Sequence, residues 1–186
     1  MKTFIASGIA AASLVSAASA DITVTLSNQT FAGFAFNTFV DYAAGQEVVG
    51  TLTGASINVV LNSSVAYTYA DDLCVYVDVE PLSTAGKLQI GGFSNLSAAQ
   101  RYSWPNGGSS APGTTSIGSV SLTTALAFTG NKAVDGTIWI GNGYGASGTS
   151  GNWSGTVTLF GVNVVPAPGA LALLGLAGFA SRRRRA

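Results

Sequence analysis

Along much of this chain apolar and polar side chains alternate with a period of two. In LCVYVDVE (73–80), Leu73, Val75, Val77 and Val79 fall on one face, and Cys74, Tyr76, Asp78 and Glu80 fall on the other. That spacing predicts a half-buried β-strand. Shorter segments of the same kind occupy 21–26, 47–53, 56–61, 64–69, 87–93, 116–122, 136–141 and 155–164. They recur at intervals of roughly ten residues with Gly-rich turns between them, as in sandwiches and jelly rolls and unlike alternating strand–helix folds. The expected fold is therefore all-β, one β-sandwich or jelly-roll domain over 21–164. The one helix candidate in the body is SNLSAAQRY (94–102). Two stretches nearly free of apolar residues, 105–116 and 141–152, are expected as surface loops.

Composition agrees with a turn-rich sheet protein. Charged residues make up 9% of the 186 and there are 24 glycines, against roughly 25% charged residues in an average soluble protein. The formal net charge of zero conceals a segregation. Arg182, Arg183, Arg184 and Arg185 stand at one end and Lys2 at the other, leaving Lys87, Arg101 and Lys132 between them. All eight acids lie in that middle section, which carries a formal charge of −5. Nucleic-acid binding requires clustered cations, so that partner is excluded. The absence of histidine and the single cysteine exclude Ser-His-Asp and Cys-His catalysis, the usual zinc sites and an internal disulfide framework. Cys74 has no neighbouring base in sequence and Asp72 two residues away, which marks an inert thiol.

The ends have a different character. Residues 1–20 carry Lys2, an uncharged apolar run and then Ala18, Ser19 and Ala20. This is the layout of a cleavable signal peptide, with Asp21 as the new N-terminus after cleavage behind Ala20. At the other end Pro166 and Pro168 precede the uncharged stretch 169–180, and the four arginines follow. Twelve helical residues rise only about 18 Å against a hydrocarbon core of about 30 Å. Arginines behind such a marginal span stay on the cytoplasmic side.

The order Val165-Pro166-Ala167-Pro168, apolar helix, Arg182 to Arg185 resembles the PEP-CTERM sorting signal of bacteria, with no Glu between the prolines. The resemblance covers 165–186. It implies an exosortase-type processing enzyme as partner, transient membrane attachment through the C-terminal segment, cleavage after export, and a cell-surface or extracellular destination. A permanent anchor and a polybasic membrane-surface patch are the alternatives for this tail. The body resembles, in its matched segments 72–77, 136–139 and 155–159, the P-domain-like jelly rolls found beside secreted bacterial enzymes. That likeness implies the fold and carries no active site.

Candidate chemistry is sparse. GYGASG (143–148) matches G-x-G-x-x-G, but TSGNWSGTV follows where a nucleotide site needs a helix, so a loop is expected. Asp71, Asp72, Asp78 and Glu80 are half the acids within ten residues. They form a solvated strand face, a Ca²⁺ site, or a glycosidase-type pair; no other cofactor is expected. Trp139, Tyr144 and Trp153, with Trp104 nearby and Asn142 and Asn152 for hydrogen bonds, are the candidate sugar platform, although Trp139 between two isoleucines suits the core equally. N-x-S/T triplets at Asn28, Asn62, Asn95 and Asn152 are expected by chance in so Asn-, Ser- and Thr-rich a chain. The leading expectation is an exported, non-enzymatic surface or matrix protein. The alternatives are a lectin-like module binding carbohydrate or exopolysaccharide, with or without Ca²⁺, and a hydrolase built on the acids.

Overall fold

The computed structural model describes residues 21–78 and 85–166. In chain order their strands are β1 (Ile22–Ala32), β2 (Phe36–Thr38), β3 (Gln46–Val65), β4 (Leu73–Asp78), β5 (Gly86–Ile90), β6 (Ala98–Tyr102), β7 (Thr115–Thr129), β8 (Thr137–Asn142) and β9 (Ser150–Pro166). They form two sheets, ordered β1-β9-β3-β7 and β2-β8-β4-β5-β6. Every pairing is antiparallel except β5 with β6. One core joins the sheets: Phe31, Leu52, Ile57, Leu61, Trp153 and Leu159 come from the first, and Leu73, Val75, Leu88, Ile90 and Ile138 from the second. The all-β, sandwich-like architecture expected from the alternation is present.

Several expectations are corrected. The segments 47–53 and 56–61 belong to one strand, β3, because the break between them is a bulge and not a turn. Leu52 and Ala55 are both buried although three residues apart, and the β3–β7 register shifts between Leu52 and Gly54. An inserted residue is what lets a strand change the phase of its inward positions without ending. The segment 64–69 is not a strand. β3 stops at Val65 because Ala66 (φ 53°) and Tyr67 (φ 64°) adopt left-handed backbone, and the Thr68 hydroxyl donates back to Val65 O at 3.1 Å.

Nor is 94–102 a helix. Ser97 turns the chain (φ 62°) and 98–102 becomes the edge strand β6, parallel to β5 with Leu88 opposite Gln100. β6 also blocks the free edge of β7: Thr124 N donates to Gln100 Oε1 at 3.2 Å, and Thr123 N to the Tyr102 hydroxyl at 2.6 Å. Side chains seated on an open sheet edge prevent its pairing with other strands. β7 itself runs to Thr129, well past the expected 122. The 141–152 loop shrinks to the seven residues between β8 and β9.

The strand at 73–80 is the most informative correction. It was expected to be half-buried, yet Leu73 to Asp78 are all buried. The outer face is covered by the connection after β5, where the Tyr76 hydroxyl donates to Leu96 O at 2.6 Å. The segment after β8 covers it too, with a backbone approach so close that a Cβ on Gly143 would stand 2.7 Å from Cys74 Cβ. Alternation records polarity, and here the polar side chains of one face have been roofed by loops.

Trp153 is wholly buried against Phe31 and donates its indole N–H to Ala70 O at 3.1 Å. Trp153→Ala is expected to cost about 3–5 kcal/mol of unfolding free energy in urea titration, the range for deleting a large buried aromatic. A loss below about 1 kcal/mol would contradict the burial described.

Candidate functional site

Three connections meet at one end of the sandwich: 66–72 from β3 to β4, 91–97 from β5 to β6, and 143–149 from β8 to β9. Backbone hydrogen bonds lace them together. Gly92 N donates to Asp71 O at 3.0 Å, Gly143 N to Asp72 O at 2.8 Å, and Ser94 N to Gly143 O at 2.8 Å. Gly92 is required there, since its φ is 82° and a Cβ would stand 2.7 Å from Gly143 Cα. The buried Gln89 side chain fixes the second connection, donating to Ser94 O and accepting from Leu96 N.

This end carries an exposed aromatic cluster. Phe93 is 77% exposed, Tyr67 75% and Tyr69 40%, and Tyr144 tilts against Phe93 with ring centroids 5.8 Å apart. The four rings and Asp72 line a depression of about 240 Å³. It adjoins, through Tyr69, Asp72 and Phe93, a second of about 270 Å³ whose polar lining includes Asp71, Arg101 and Ser103.

Asp72 accepts from Tyr69 N at 2.7 Å. Burial pushes its carboxyl up to about 6, the Tyr69 N–H pulling it the other way. Burial also raises Asp71, whose Oδ1 is enclosed with no hydrogen-bond partner among the described residues. The Cys74 thiol is fully buried and pushed far up by desolvation.

The structure regroups the residues singled out from sequence. Of the sugar platform, Trp153 is core and Trp104 is buried, donating to Leu73 O at 2.7 Å. Trp139 is half-buried on β8 and lines neither depression. Only Tyr144 belongs to the exposed cluster. The reason is topological, because Trp153 lies on β9 in the middle of the first sheet, facing inward.

The acids are likewise separated. Asp71 and Asp72 sit in the 3-10 turn Ala70–Asp72, whereas buried Asp78 closes the far end of β4, roughly 20 Å away at the rise of an extended strand. Among the described residues no three His, Cys, Asp or Glu side chains are placed to share a metal ion. Glu80 lies outside those residues, so the solvated-face expectation is corrected for Asp72 and Asp78, which are buried.

Asp21 is exposed and accepts from Gly161 N at 3.0 Å. Val165 and Pro166 end β9, opposite Glu47 and Gln46. Ala20, Ala167, Pro168, the apolar stretch 169–180 and Arg182 to Arg185 lie outside the described residues. Among those described, no helix is long and apolar enough to cross a membrane.

Sequence reasoning missed Tyr67, Tyr69 and Phe93. Tyr67 and Tyr69 were hidden in a segment that alternates like a strand, and Phe93 stood at the end of another. The available signal was Gly91-Gly92, a pair that breaks a strand and leaves the next side chain outside it.

Folded Asp72 keeps its proton to about pH 6, while the unfolded chain releases it near pH 4. Between those values the folded state binds more protons, so stability falls as pH rises. The urea midpoint of the wild type is expected to drop between pH 4 and pH 6, and Asp72→Asn to flatten part of that drop; parallel profiles would contradict the assignment. Cys74 is expected to ignore a water-soluble disulfide reagent in the native protein and to react fully in denaturant, with prompt native labelling as the contrary result. No protein family, curated protein or solved structure matches the chain, so the functional reading rests on residues and geometry.

Proposed function

We propose that this chain is an exported bacterial protein, delivered to the cell surface or extracellular matrix through a PEP-CTERM-like tail, where its β-domain has a non-enzymatic structural role. The observation that carries this reading is the pairing of the two ends in the sequence: Lys2, an uncharged apolar run and Ala18-Ser19-Ala20 at one, and Val165-Pro166-Ala167-Pro168, the uncharged 169–180 and Arg182 to Arg185 at the other. The separation of Asp72 from Asp78 by the length of β4 argues against the hydrolase reading, which needs two carboxyls flanking one bond.

Within this proposal the fold is a jelly roll. The layers β1-β9-β3-β7 and β2-β8-β4-β5 pair the strands as two Greek keys do, and β6 is an added edge strand. A lectin-like role is the second reading, favoured by the aromatic rings gathered on the loops at one end.

Mass spectrometry of the protein recovered from its native host tests the first reading. The expected mature species begins at Asp21 and lacks Arg182 to Arg185. Recovery of a surface species that still ends in Ala186 would overturn the processing step.

A further inference from the structure

We propose that the aromatic trough formed by Tyr67, Tyr69, Phe93 and Tyr144 binds the interior of an uncharged polysaccharide chain; this names a site and a ligand class for the lectin-like reading and rests on it. The site differs from the tryptophan platform suggested by sequence.

Two observations show that the rings are presented. Tyr67 and Phe93 are about three-quarters exposed, although the loops that carry them are tightly laced to their neighbours. Tyr67 is also held at φ 64°, a left-handed conformation that costs a non-glycine residue roughly 1–2 kcal/mol. Its ring has little burial to offset that cost. Backbone held this way by its surroundings, without a packing return, points to function.

The lining favours a sugar. The C–H faces of a pyranose ring are apolar and stack on aromatic rings, while its rim is all hydroxyls. The trough has that division: rings along one depression, and Asp71, Asp72, Arg101 and Ser103 where it continues into the next. Carboxylates accept from hydroxyls, and the guanidinium donates to them. Together the two depressions reach the size of a small-ligand site, roughly 300–1,000 Å³. They adjoin along a shared wall of Tyr69, Asp72 and Phe93, so that a chain continues from one to the other.

Charge selects within that class. Two carboxyls against one arginine, on a body of formal charge −5, repel uronate and sulfated chains and anionic lipid surfaces alike. A peptide adding as a strand would need an open sheet edge, and this trough lies on loops.

The test is affinity electrophoresis of the full-length chain through gels containing neutral glycans (laminarin, galactomannan, dextran, mixed-linkage β-glucan) or anionic alginate. Retardation by at least one neutral glycan is expected, and little by alginate. The double variant Tyr67→Ala/Phe93→Ala should weaken binding about tenfold or more, from the loss of two stacking rings, with an unchanged unfolding midpoint. Asp41→Ala, remote from the trough, should bind as the wild type does.

Retardation by a neutral glycan that the double variant retains would overturn this site and leave the lectin-like reading standing. Retardation by no glycan overturns both. Preference for alginate overturns the ligand class. Light scattering supplies a further outcome: a wild-type dimer that the double variant dissociates would make the trough an interface between copies and overturn the proposal.

Discussion

Two buried indole N–H groups grip one short stretch of backbone, and the loop end of the sandwich depends on that grip. Trp153, from the first sheet, donates to Ala70 O, and Trp104, following the last strand of the second, donates to Leu73 O. The two carbonyls bracket the turn that carries Asp71 and Asp72. A buried carbonyl left unpaired costs about 1–3 kcal/mol, so each tryptophan both fills the core and satisfies a polar group. The turn is thereby held against both sheets, and its own carbonyls in turn hold Gly92 and Gly143.

The roof over β4 follows from this arrangement. With Leu73 to Asp78 buried on both faces, the outer side chains need cover, and the 91–97 and 143–149 connections supply it. Covering a sheet with loops is costly unless their backbone groups are paired. Here they pair with each other, with the gripped turn and with Gln89. On that roof Phe93 turns its ring to solvent with half-buried Tyr144 packed against it, and Tyr67 is exposed on the neighbouring 66–72 connection. A rigid loop cluster with outward rings is thus a by-product of burying a central strand, and it is also what a binding site needs.

In the first sheet, irregularity is managed by asparagine. Asn62 donates to Asn152 Oδ1 at 2.7 Å and to Asn28 Oδ1 at 3.1 Å, and Asn152 donates to Asn28 O at 2.8 Å. Register shifts fall beside this knot, between Leu26 and Gln29 in β1 and between Leu61 and Ser63 in β3. Side-chain amides take up backbone groups that a bulge leaves without ladder partners. Three of the four N-x-S/T triplets noticed in sequence are therefore parts of a structural cross-link joining three strands.

What the sequence determined by itself was the class of the molecule: period-two alternation and turn spacing specified an all-β body, and the segregated charges left an acidic middle. These are properties of local order and composition, which act before any distant contact forms. Tertiary structure decided the rest. Whether the polar face of β4 met water or a roof depended on loops twenty and seventy residues away in sequence, roughly speaking. A phase slip at 53–54 looked like a turn until the neighbouring strands showed it to be a bulge. The fate of each aromatic was settled by its place in the assembled fold, which sent Trp153 inward on β9 and left Tyr67 and Phe93 exposed on connections between strands. Local pattern reports which residues prefer burial; only the assembled sheets determine which faces exist to bury them.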